Sequence, residues 1–598
     1  MTKRLLIGQI MMFFIIGIVF AGNHAKVGTK IPNDLNENQT VQLNKTILNY
    51  PLVLEGTKSG SDYWFGPEVA VTGCTGFYDY QTNGDAKHQI NRSSSTELHA
   101  VMMVSTDSTD QNGSRRSTYS FSDDDGATWT FITQVPTIRS GFVSLEAKTT
   151  GEAVVANHYQ PASVLNGFVS YDVAPGAGSF TGVGVTHPFI WPGLSRYSNG
   201  NMMVAGESYT GGAGTDTGAV CVFNTTTNTM SPTTLLFNPD GVSQTNMRWT
   251  YAAGPGGAGI YVIDAISDVG GNFGLSRIYI FKTTNSGATW DNGAVMFNPI
   301  VVGTDTLAPF FGLDAIYDAA GNYYVAFNTN DPTGNFSAGK MWVSKNSGTP
   351  VLVAQHSGVN GIPGAANLVL HADAGICTID HPALSLSADG TTIFCAYSVQ
   401  FEADTLNGFN KCHIFYSASP TATLLFGSPI QVTNSGAGSK DERYVSLHRV
   451  APDLGGSFGV TLYMMYQKDT QPGSCAFNDA APITRSQQIF RKIYNANIPI
   501  GISNIGNEVP KNFSLSQNFP NPFNPVTKIR FSVPKASNIT LQVYDAAGRL
   551  VATLANNESV TAGLKEVDFN AINLPSGVYF YTLKSADFTD TKKMVLVK

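Results

Sequence analysis

Short apolar stretches recur in pairs along most of the chain. The first member of each pair follows a polar or Gly-containing turn: Leu98–Val104, Glu152–Asn157, Asn201–Ala205, Ile260–Asp264, Tyr323–Phe327, Thr392–Tyr397 and Thr461–Tyr466. The second follows a polar loop of variable length: Ser117–Phe121, Gly167–Tyr171, Ala219–Phe223, Arg277–Phe281, Met341–Val343, Cys412–Tyr416 and Gln488–Arg491. Each stretch has the length of a strand and falls short of a helix. A further strand-like stretch precedes some first members, as at Ser144–Lys148, Leu313–Tyr317 and Ala383–Leu386, and turns such as Asn199-Gly200, Ala320-Gly321 and Asp389-Gly390 carry hairpin signals. Turn glycines at Gly151, Gly200, Gly321 and Gly390 imply a period of roughly 50 to 70 residues, which suits four-stranded blades with insertions.

A single sheet of this kind cannot bury both of its faces, whereas a ring of them covers every face with a neighbour. The expected fold is therefore all-β, with a β-propeller over 63–494. Seven pairs predict seven blades; six is the alternative if a terminal unit is an elaboration. Residues 495–512, with Pro499 and several Asn and Gly, read as a linker. Beyond it, Ile529–Val533, Ile539–Tyr544, Leu550–Leu554, Leu564–Phe569, Val578–Lys584 and Lys593–Val597 alternate at short spacing and predict a small Ig-like β-sandwich over 513–598.

The first residues read differently. Lys3 and Arg4 precede an apolar run, and Val19-Phe20-Ala21 offers small residues for cleavage, so 1–21 is expected to be a signal peptide. Its apolar run of about 16 residues is shorter than the roughly 20 that span a bilayer, which leaves the uncleaved anchor as the weaker alternative. Residues 22–62 are polar and are expected to form an N-terminal arm. No later segment is long enough for a transmembrane span, so the mature chain is expected outside the cytoplasm.

Composition sharpens this picture in two places. Charged residues make up only 13% and the net charge is -7, with no Lys/Arg-rich run beyond the start, so nucleic acid is excluded as an expected partner. An apolar share of 42% excludes a disordered chain. Six cysteines in an exported chain permit disulfides. Two pairings are open, Cys395 with Cys412 on successive strands and Cys74 with Cys475 closing the ring, and free buried thiols are the alternative.

One polar turn occurs twice. Ser122-Asp123-Asp124-Asp125-Gly126-Ala127-Thr128-Trp129 and Thr283-Thr284-Asn285-Ser286-Gly287-Ala288-Thr289-Trp290 share Ser/Thr-x-Asp/Asn-x-Gly-x-Thr-Trp. An Asx side chain that bonds its own backbone and a Gly for positive φ make a strand–turn–strand corner, with the Trp as anchor. The pattern resembles the Asp-box (BNR repeat) of sialidase-type β-propellers, and Ser122, Asp124, Gly126, Trp129, Thr283, Asn285, Gly287 and Trp290 are its structural residues. That resemblance implies six blades. It also implies three arginines holding a substrate carboxylate, a Tyr nucleophile assisted by a Glu, and an Asp acid/base. Arg139, Arg248 and Arg443 stand at or before starts of inner strands and are the substrate-binding candidates. The family's Phe/Tyr-Arg-Ile-Pro signature is absent, with Thr137-Ile138-Arg139-Ser140 nearest to it, and no Tyr–Glu pair follows from spacing. The catalytic residues stay unassigned.

His371-Ala372-Asp373 and Asp380-His381 place His and Asp close enough to ligate a metal or share a proton, though His at a strand start is more often structural. Asp107, Asp110 and Asn112 lie in a Gly-containing loop whose spacing favours a solvated turn over a calcium loop. No metal and no cofactor is therefore expected.

The last 86 residues carry a second resemblance. Asn518-Phe519-Pro520-Asn521-Pro522-Phe523-Asn524-Pro525, Val543-Tyr544-Asp545 with Gly548-Arg549, Leu574-Pro575-Ser576-Gly577-Val578-Tyr579 and the ending Lys592-Lys593-Met594-Val595-Leu596-Val597-Lys598 resemble the type A C-terminal sorting domain of type IX secretion cargo. The resemblance implies an address read by the outer-membrane export machinery, and a secreted or cell-surface protein. Together the readings lead to an exported propeller that binds an extracellular ligand, such as a glycan or a surface protein. A sialidase-type exo-glycoside hydrolase is the alternative, and an adhesion scaffold a third.

Overall fold

The computed structural model describes residues 63–597 except 79, 82–87, 160–164, 210–213, 238–245, 267–275, 303–304, 331–338, 357–359, 363–364, 366–376, 428, 436–437, 456–457, 474–481, 495, 497–502, 505–509, 525, 561, 572–573 and 586–587. The expected signal peptide and arm, His371-Ala372-Asp373 and Cys475 lie outside the described residues. Apart from a 3-10 turn at Pro255–Gly257, the described residues form strands and turns. No helix among them is long and apolar enough to cross a membrane.

Seven sheets follow one another from Trp64 to Tyr494, antiparallel apart from a short parallel pairing of Val450–Ala451 with Leu386 and Ser387. Blade 1 is Ile90–Arg92, Leu98–Val104, Arg116–Ser122 and Thr130–Gln134; blade 2 is Ser140–Ala147, Ala153–Tyr159, Asn166–Asp172 and Phe180–Gly184. Blade 3 runs from Phe189–Arg196 through Met202–Tyr209 and Gly214–Asn224 to Thr234–Phe237, and blade 4 from Asn246–Ala253 through Gly259–Ile266 and Arg277–Thr283 to Ala294–Phe297. Blade 5 contains Asp305–Tyr317, Tyr323–Asn330, Lys340–Lys345 and Val351–Gln355, and blade 6 contains Ile379–Ser387, Thr392–Leu406, Phe409–Pro420 and Ile430–Gln431. Blade 7 has three late strands, Asp441–Leu447, Leu462–Asp469 and Ser486–Tyr494. Its outer edge comes from the other end of the propeller, where Trp64–Phe65 and Val69–Gly76 both pair with Ser486–Tyr494. All seven apolar pairs of the sequence are the second and third strands of these blades, so seven is the blade number.

The packing explains the sequence pattern. Leu98–Val104 and Tyr323–Asn330 are buried at every position, while the fourth strand of blade 1, Thr130–Gln134, is exposed or half-buried throughout. A second strand is covered on both faces, and successive residues serve opposite junctions. Val101 packs with Leu145 of blade 2 while Met102 packs with Met465 of blade 7. Likewise Val204 faces Val154 of blade 2, and Met203 faces Trp249 of blade 4. Val262 with Leu313, Tyr324 with Leu384, and Ile414 with Met464 fill the remaining junctions. Each of the seven junctions therefore has its own apolar cluster, and each buried Val, Leu or Ile contributes about 1.5–3 kcal/mol. Glycines with positive φ, Gly200 (88°) and Gly321 (87°), turn the first strand into the second where an L side chain would be strained.

Charges knit the ring from inside. Arg449, just after the inner strand of blade 7, donates through Nη1 and Nη2 to Asp314 of blade 5 at 2.6 and 2.8 Å, and through Nη1 to the Leu384 carbonyl of blade 6 at 3.1 Å. It also donates to Nε2 of His88, ahead of blade 1. Burial, and then the Arg449 charge, hold His88 below its ordinary pKa, so its imidazole is a neutral acceptor there. Asp314 further accepts from the Leu384 and Ala315 amides at 2.6 and 2.8 Å. Burial alone would raise its pKa, but the charge and hydrogen bonds of Arg449 hold it below the usual range.

The C-terminal strands form two sheets. One orders Ser503–Asn504, Gly563–Asn570, Val526–Val533 and Ser514–Leu515; the other orders Leu550–Val560, Ser537–Asp545, Gly577–Ser585 and Phe588–Leu596. Phe531, Leu541, Phe569, Tyr581 and Leu583 fill the core between them. Ser503–Asn504, within the expected linker, pairs with Glu566 and Lys565 as an edge of the first sheet.

Of the two open disulfide pairings, Cys395 with Cys412 is not formed, and Cys74 with Cys475 involves a residue outside those described. Cys395 lies opposite Ser417 and Cys412 opposite Gln400, five residues out of register, so the two buried thiols are not bonded to each other. The Cys74 thiol is hydrogen-bonded to Thr118 and Ser120 at 3.6 and 3.7 Å.

Asp314→Asn should cost about 1–3 kcal/mol in denaturant unfolding at pH 7, because it takes the hydrogen-bonded counter-charge from half-buried Arg449. The native pKa of Asp314 is depressed, so its contribution is present above the unfolded carboxylate pKa and is lost as pH falls through the native one. The gap between wild type and variant should therefore narrow on acidification.

Candidate functional site: the mouth of the central channel

Four inner strands carry the same irregularity near their starts. The ladder gains one extra residue between Gly141 and Ser144 in blade 2, Ile190 and Gly193 in blade 3, Asp380 and Ala383 in blade 6, and Arg443 and Ser446 in blade 7. The residue that enters each bulge is Phe142, Trp191, His381 or Tyr444, with φ of 51°, 52°, 52° and 54°. Such values are uncommon for any L residue and outliers for bulky ones, costing on the order of 1–3 kcal/mol each. A bulge at this place re-aims one side chain per blade toward its neighbours at the channel mouth.

The re-aimed rings meet in an arc. His381 lies 4.7 Å from Tyr444, which is 6.1 Å from Tyr80; Tyr80 is 6.1 Å from Phe142, Phe142 is 5.9 Å from Trp191, and Trp191 stacks on Trp249 at 5.7 Å. Most of these rings are buried, and Trp191 is half-buried. Two arginines lie on the arc: Arg115 against Phe142 at 5.3 Å and against Tyr78 at 5.2 Å, and Arg443 against Tyr444 at 5.2 Å. Arg115 also donates to the Tyr78 hydroxyl at 3.1 Å.

The three arginines singled out in the sequence stand at inner strands of blades 2, 4 and 7. Arg139 is half-buried and donates through Nε to the Asn112 carbonyl at 2.8 Å. Burial, and then the Arg115 charge, pull its guanidinium down to about 10. Arg248 is half-buried and faces Asp264 across the strand pair. Arg443 is fully buried; its Nε pairs with Asp441 at 2.7 Å and its Nη2 donates to the Gly473 carbonyl at 3.0 Å.

Asp380 joins blades 5 and 6. Its Oδ1 accepts from Asn328 Nδ2 at 2.9 Å and from the His381 amide at 2.7 Å, while Oδ2 accepts from the Cys377 amide at 3.2 Å. These donors give Asp380 and His381 a structural account at the bulge. In the loop of Asp107 and Asp110, Asp107 accepts from the Thr109 amide and hydroxyl and Asp110 from the Gly113 amide, which makes an exposed turn.

The two copies of the polar turn lie at outer corners and make the same bonds. Ser122 Oγ donates to Asp124 and accepts from the Gly126 amide, at 2.8 and 2.9 Å, and Asp124 accepts from the Thr128 amide at 2.8 Å. Thr283 donates to Asn285 and accepts from the Gly287 amide, at 2.9 and 3.1 Å, and Asn285 accepts from the Thr289 amide at 2.9 Å. Each turn then grips the preceding blade. Asp125 accepts from Lys492 and the Tyr463 hydroxyl of blade 7 at 2.7 and 2.8 Å, with Trp129 on Phe490; Ser286 accepts from Asn199 of blade 3 at 3.3 Å.

Sequence reasoning missed the bulged residues, although a signal existed. All four read aromatic or His, then Val or Pro, then a small residue: Phe142-Val143-Ser144, Trp191-Pro192-Gly193, His381-Pro382-Ala383 and Tyr444-Val445-Ser446.

In the C-terminal domain the motif residues hold the fold. The Asn518 amide donates to the Tyr581 hydroxyl at 2.8 Å and Asn518 Nδ2 to Thr527 at 2.9 Å; the amide of Phe523 donates to the Val595 carbonyl at 2.9 Å, and Asn521 accepts from the Val595 amide at 2.9 Å. Asp545 accepts from the Arg549 amide at 3.0 Å and pairs with its guanidinium at 2.7 Å.

Residues 517–598 match the family described as secretion system C-terminal sorting domain. No curated protein sequence matches the chain. Among solved structures, the chain is similar to a polysaccharide lyase described as PL25 ulvan lyase, with 10% identity, 70% of this chain and 98% of that one covered and a TM-score of 0.42. It is similar to an α-L-arabinanase of Penicillium chrysogenum, with 13% identity over 60% of this chain and 100% of that one and a TM-score of 0.37. It is also similar to the sialidase of Trypanosoma rangeli, with 10% identity over 88% and 89% and a TM-score of 0.35. The chain thus ends in a type IX sorting domain, which indicates export to the cell surface or beyond.

Deleting Phe513–Lys598 in the native host should leave the protein in the periplasm, as read by fractionation and surface proteolysis. Undiminished delivery to the surface would overturn the assignment.

Proposed function

We propose that the exported propeller binds an extracellular glycan at the channel mouth and does so without catalysis. The observation that supports this reading most is the arc of Phe142, Trp191, His381 and Tyr444, each held at positive φ by an equivalent bulge. Strain repeated at one place in four blades is the kind of feature that clusters at ligand sites. Trp191 is the half-buried ring of the arc, and Arg139 and Arg248 are half-buried guanidiniums at the same strand starts. Rings stack on the apolar faces of sugars, and guanidiniums grip acidic groups with paired hydrogen bonds. Burial, and then the Arg115 charge, lower the Arg139 pKa, and an anionic group on the ligand would offset the second of these.

The sialidase-type reading requires three arginines available to one carboxylate. Arg443 spends its Nε on Asp441 and its Nη2 on a backbone carbonyl while fully buried. That commitment favours binding over hydrolysis.

Trp191→Ala should reduce binding on a glycan array by tenfold or more, with melting temperature changed by a few degrees only. An unchanged array profile would sink the mouth as the site. A fluorogenic sialoside should not be turned over by the wild type. Turnover that falls a hundredfold in Arg139→Ala, Arg248→Ala and Arg443→Ala alike would establish the hydrolase instead.

A further inference from the structure

A second pocket opens between blades 6 and 7, on the opposite face of the strand that carries Arg443. It has a volume of about 220 Å³ and is lined by Glu68, Ser439, Lys440, Glu442, Lys468 and Arg491 among others. Glu442 and Arg443 are consecutive on one strand, so their side chains leave it on opposite faces and only Glu442 enters this groove. Behind Glu442 sits His413, fully buried. Its Nδ1 is 3.0 Å from Glu442 Oε2 and its Nε2 is 2.9 Å from Asp404 Oδ2.

A neutral imidazole has a single N–H. Both nitrogens of His413 face carboxylate oxygens at hydrogen-bonding distance, and each contact needs a hydrogen. The array therefore holds one proton more than a neutral imidazole between two carboxylates. Asp404 is fixed from behind by Lys411 at 2.9 Å and by the Ser439 hydroxyl at 2.5 Å. The other oxygen of Glu442 faces the pocket, 3.8 Å from Lys468 Nζ. Burial raises the Glu442 pKa, against the pull of His413 and Lys468 and with that of Asp441.

The remaining pocket charges are unbalanced. Glu68 is ionised and pairs with Lys468, with Arg491 3.9 Å away. Arg491 is largely committed to the Gly66 and Val432 carbonyls, at 2.9 and 2.7 Å. Lys440 adds a third cation to the wall. Lys440, Lys468 and Arg491 thus face Glu68 and Glu442, and the proton held in the array offsets the charge of Glu442. The volume is below the roughly 300–1,000 Å³ typical of drug-sized ligands, so a small molecule fits it better than an oligosaccharide.

We propose that this pocket binds a small organic acid, its carboxylate held by Lys440 and Lys468, and that the Asp404–His413–Glu442 array makes the binding pH-dependent. With the proton in place, Glu442 presents no full negative charge to the acid. When the proton leaves, its carboxylate opposes the ligand, so affinity falls as pH rises. One linked proton limits the slope to about tenfold per pH unit.

The test is calorimetric titration of the purified mature chain with gluconate, with glucose and inorganic phosphate as controls, from pH 5.5 to 8.5. Gluconate should bind, at least tenfold more tightly at the acid end, and glucose should not. Lys440→Ala should weaken gluconate tenfold or more with an unchanged melting temperature. Glu442→Gln should keep the binding and flatten its pH profile. No binding of gluconate, equal binding of glucose, tighter binding of phosphate, an unaffected Lys440→Ala variant or an unchanged slope in Glu442→Gln would each overturn the proposal. Trp191→Ala should leave gluconate binding intact, so this site and the mouth fail or stand separately.

Discussion

Closure of the ring is the constraint on which the other features depend. Each blade is a sheet with two faces to cover, and only a ring leaves no face unpartnered. Closure requires the two ends of the propeller to share a sheet, and Val69–Gly76 meets Ser486–Tyr494 to do so. The apolar cluster of Met102, Met465, Phe490 and Trp129 exists only because that last junction forms. Asp125, carried by the first polar turn, then ties blade 1 to Lys492 of the closing blade. A turn that reads locally as a corner is a clamp across the seam.

Closure also decides where polar groups go. Seven inner strands converge on an axis, and side chains pointing inward must find partners there or cost about 1–3 kcal/mol each when left unsatisfied. Toward the ends of the inner strands the solution is charge neutralisation, with Arg449 spanning His88, Asp314 and Leu384 from three other blades. Near their starts the solution is aromatic packing, at the cost of backbone strain in four bulges. The first arrangement is satisfied within the chain. The second stores strain beside half-buried Trp191, Arg139 and Arg248.

Much of this was legible in the sequence because propeller blades write burial directly into composition. Second strands face two neighbours, so Leu98–Val104 and Tyr323–Phe327 are largely apolar without alternation and stand out from their surroundings. The polar turns were legible because their bonds are local, within seven residues. What was not legible depends on distant partners. Nothing near Val69–Gly76 says that its partner lies some four hundred residues on. His413 is an ordinary strand residue until Glu442 of the next blade reaches it. The bulges shift Cα pairing by one residue, which a strand pattern of period two cannot show. The open pairing of Cys395 with Cys412 is decided by a related feature: strand adjacency is legible in the sequence, and register is not.

The cysteines bear on how an exported protein keeps this ring closed. Burial pushes the thiol of Cys74 up to about 11 and that of Cys221 to about 12, and raises Cys377 and Cys395 well above their ordinary value. A thiol so poorly ionised reacts slowly, because the thiolate is the nucleophile in disulfide chemistry. Thiols on adjacent strands five positions out of register cannot meet without unfolding the blade. Cys74 lies in the seam itself, yet it bonds Thr118 and Ser120 of blade 1 and leaves closure to the backbone ladder and to Asp125, Lys492 and Tyr463. The seam is therefore held by hydrogen bonds, an ion pair and apolar burial.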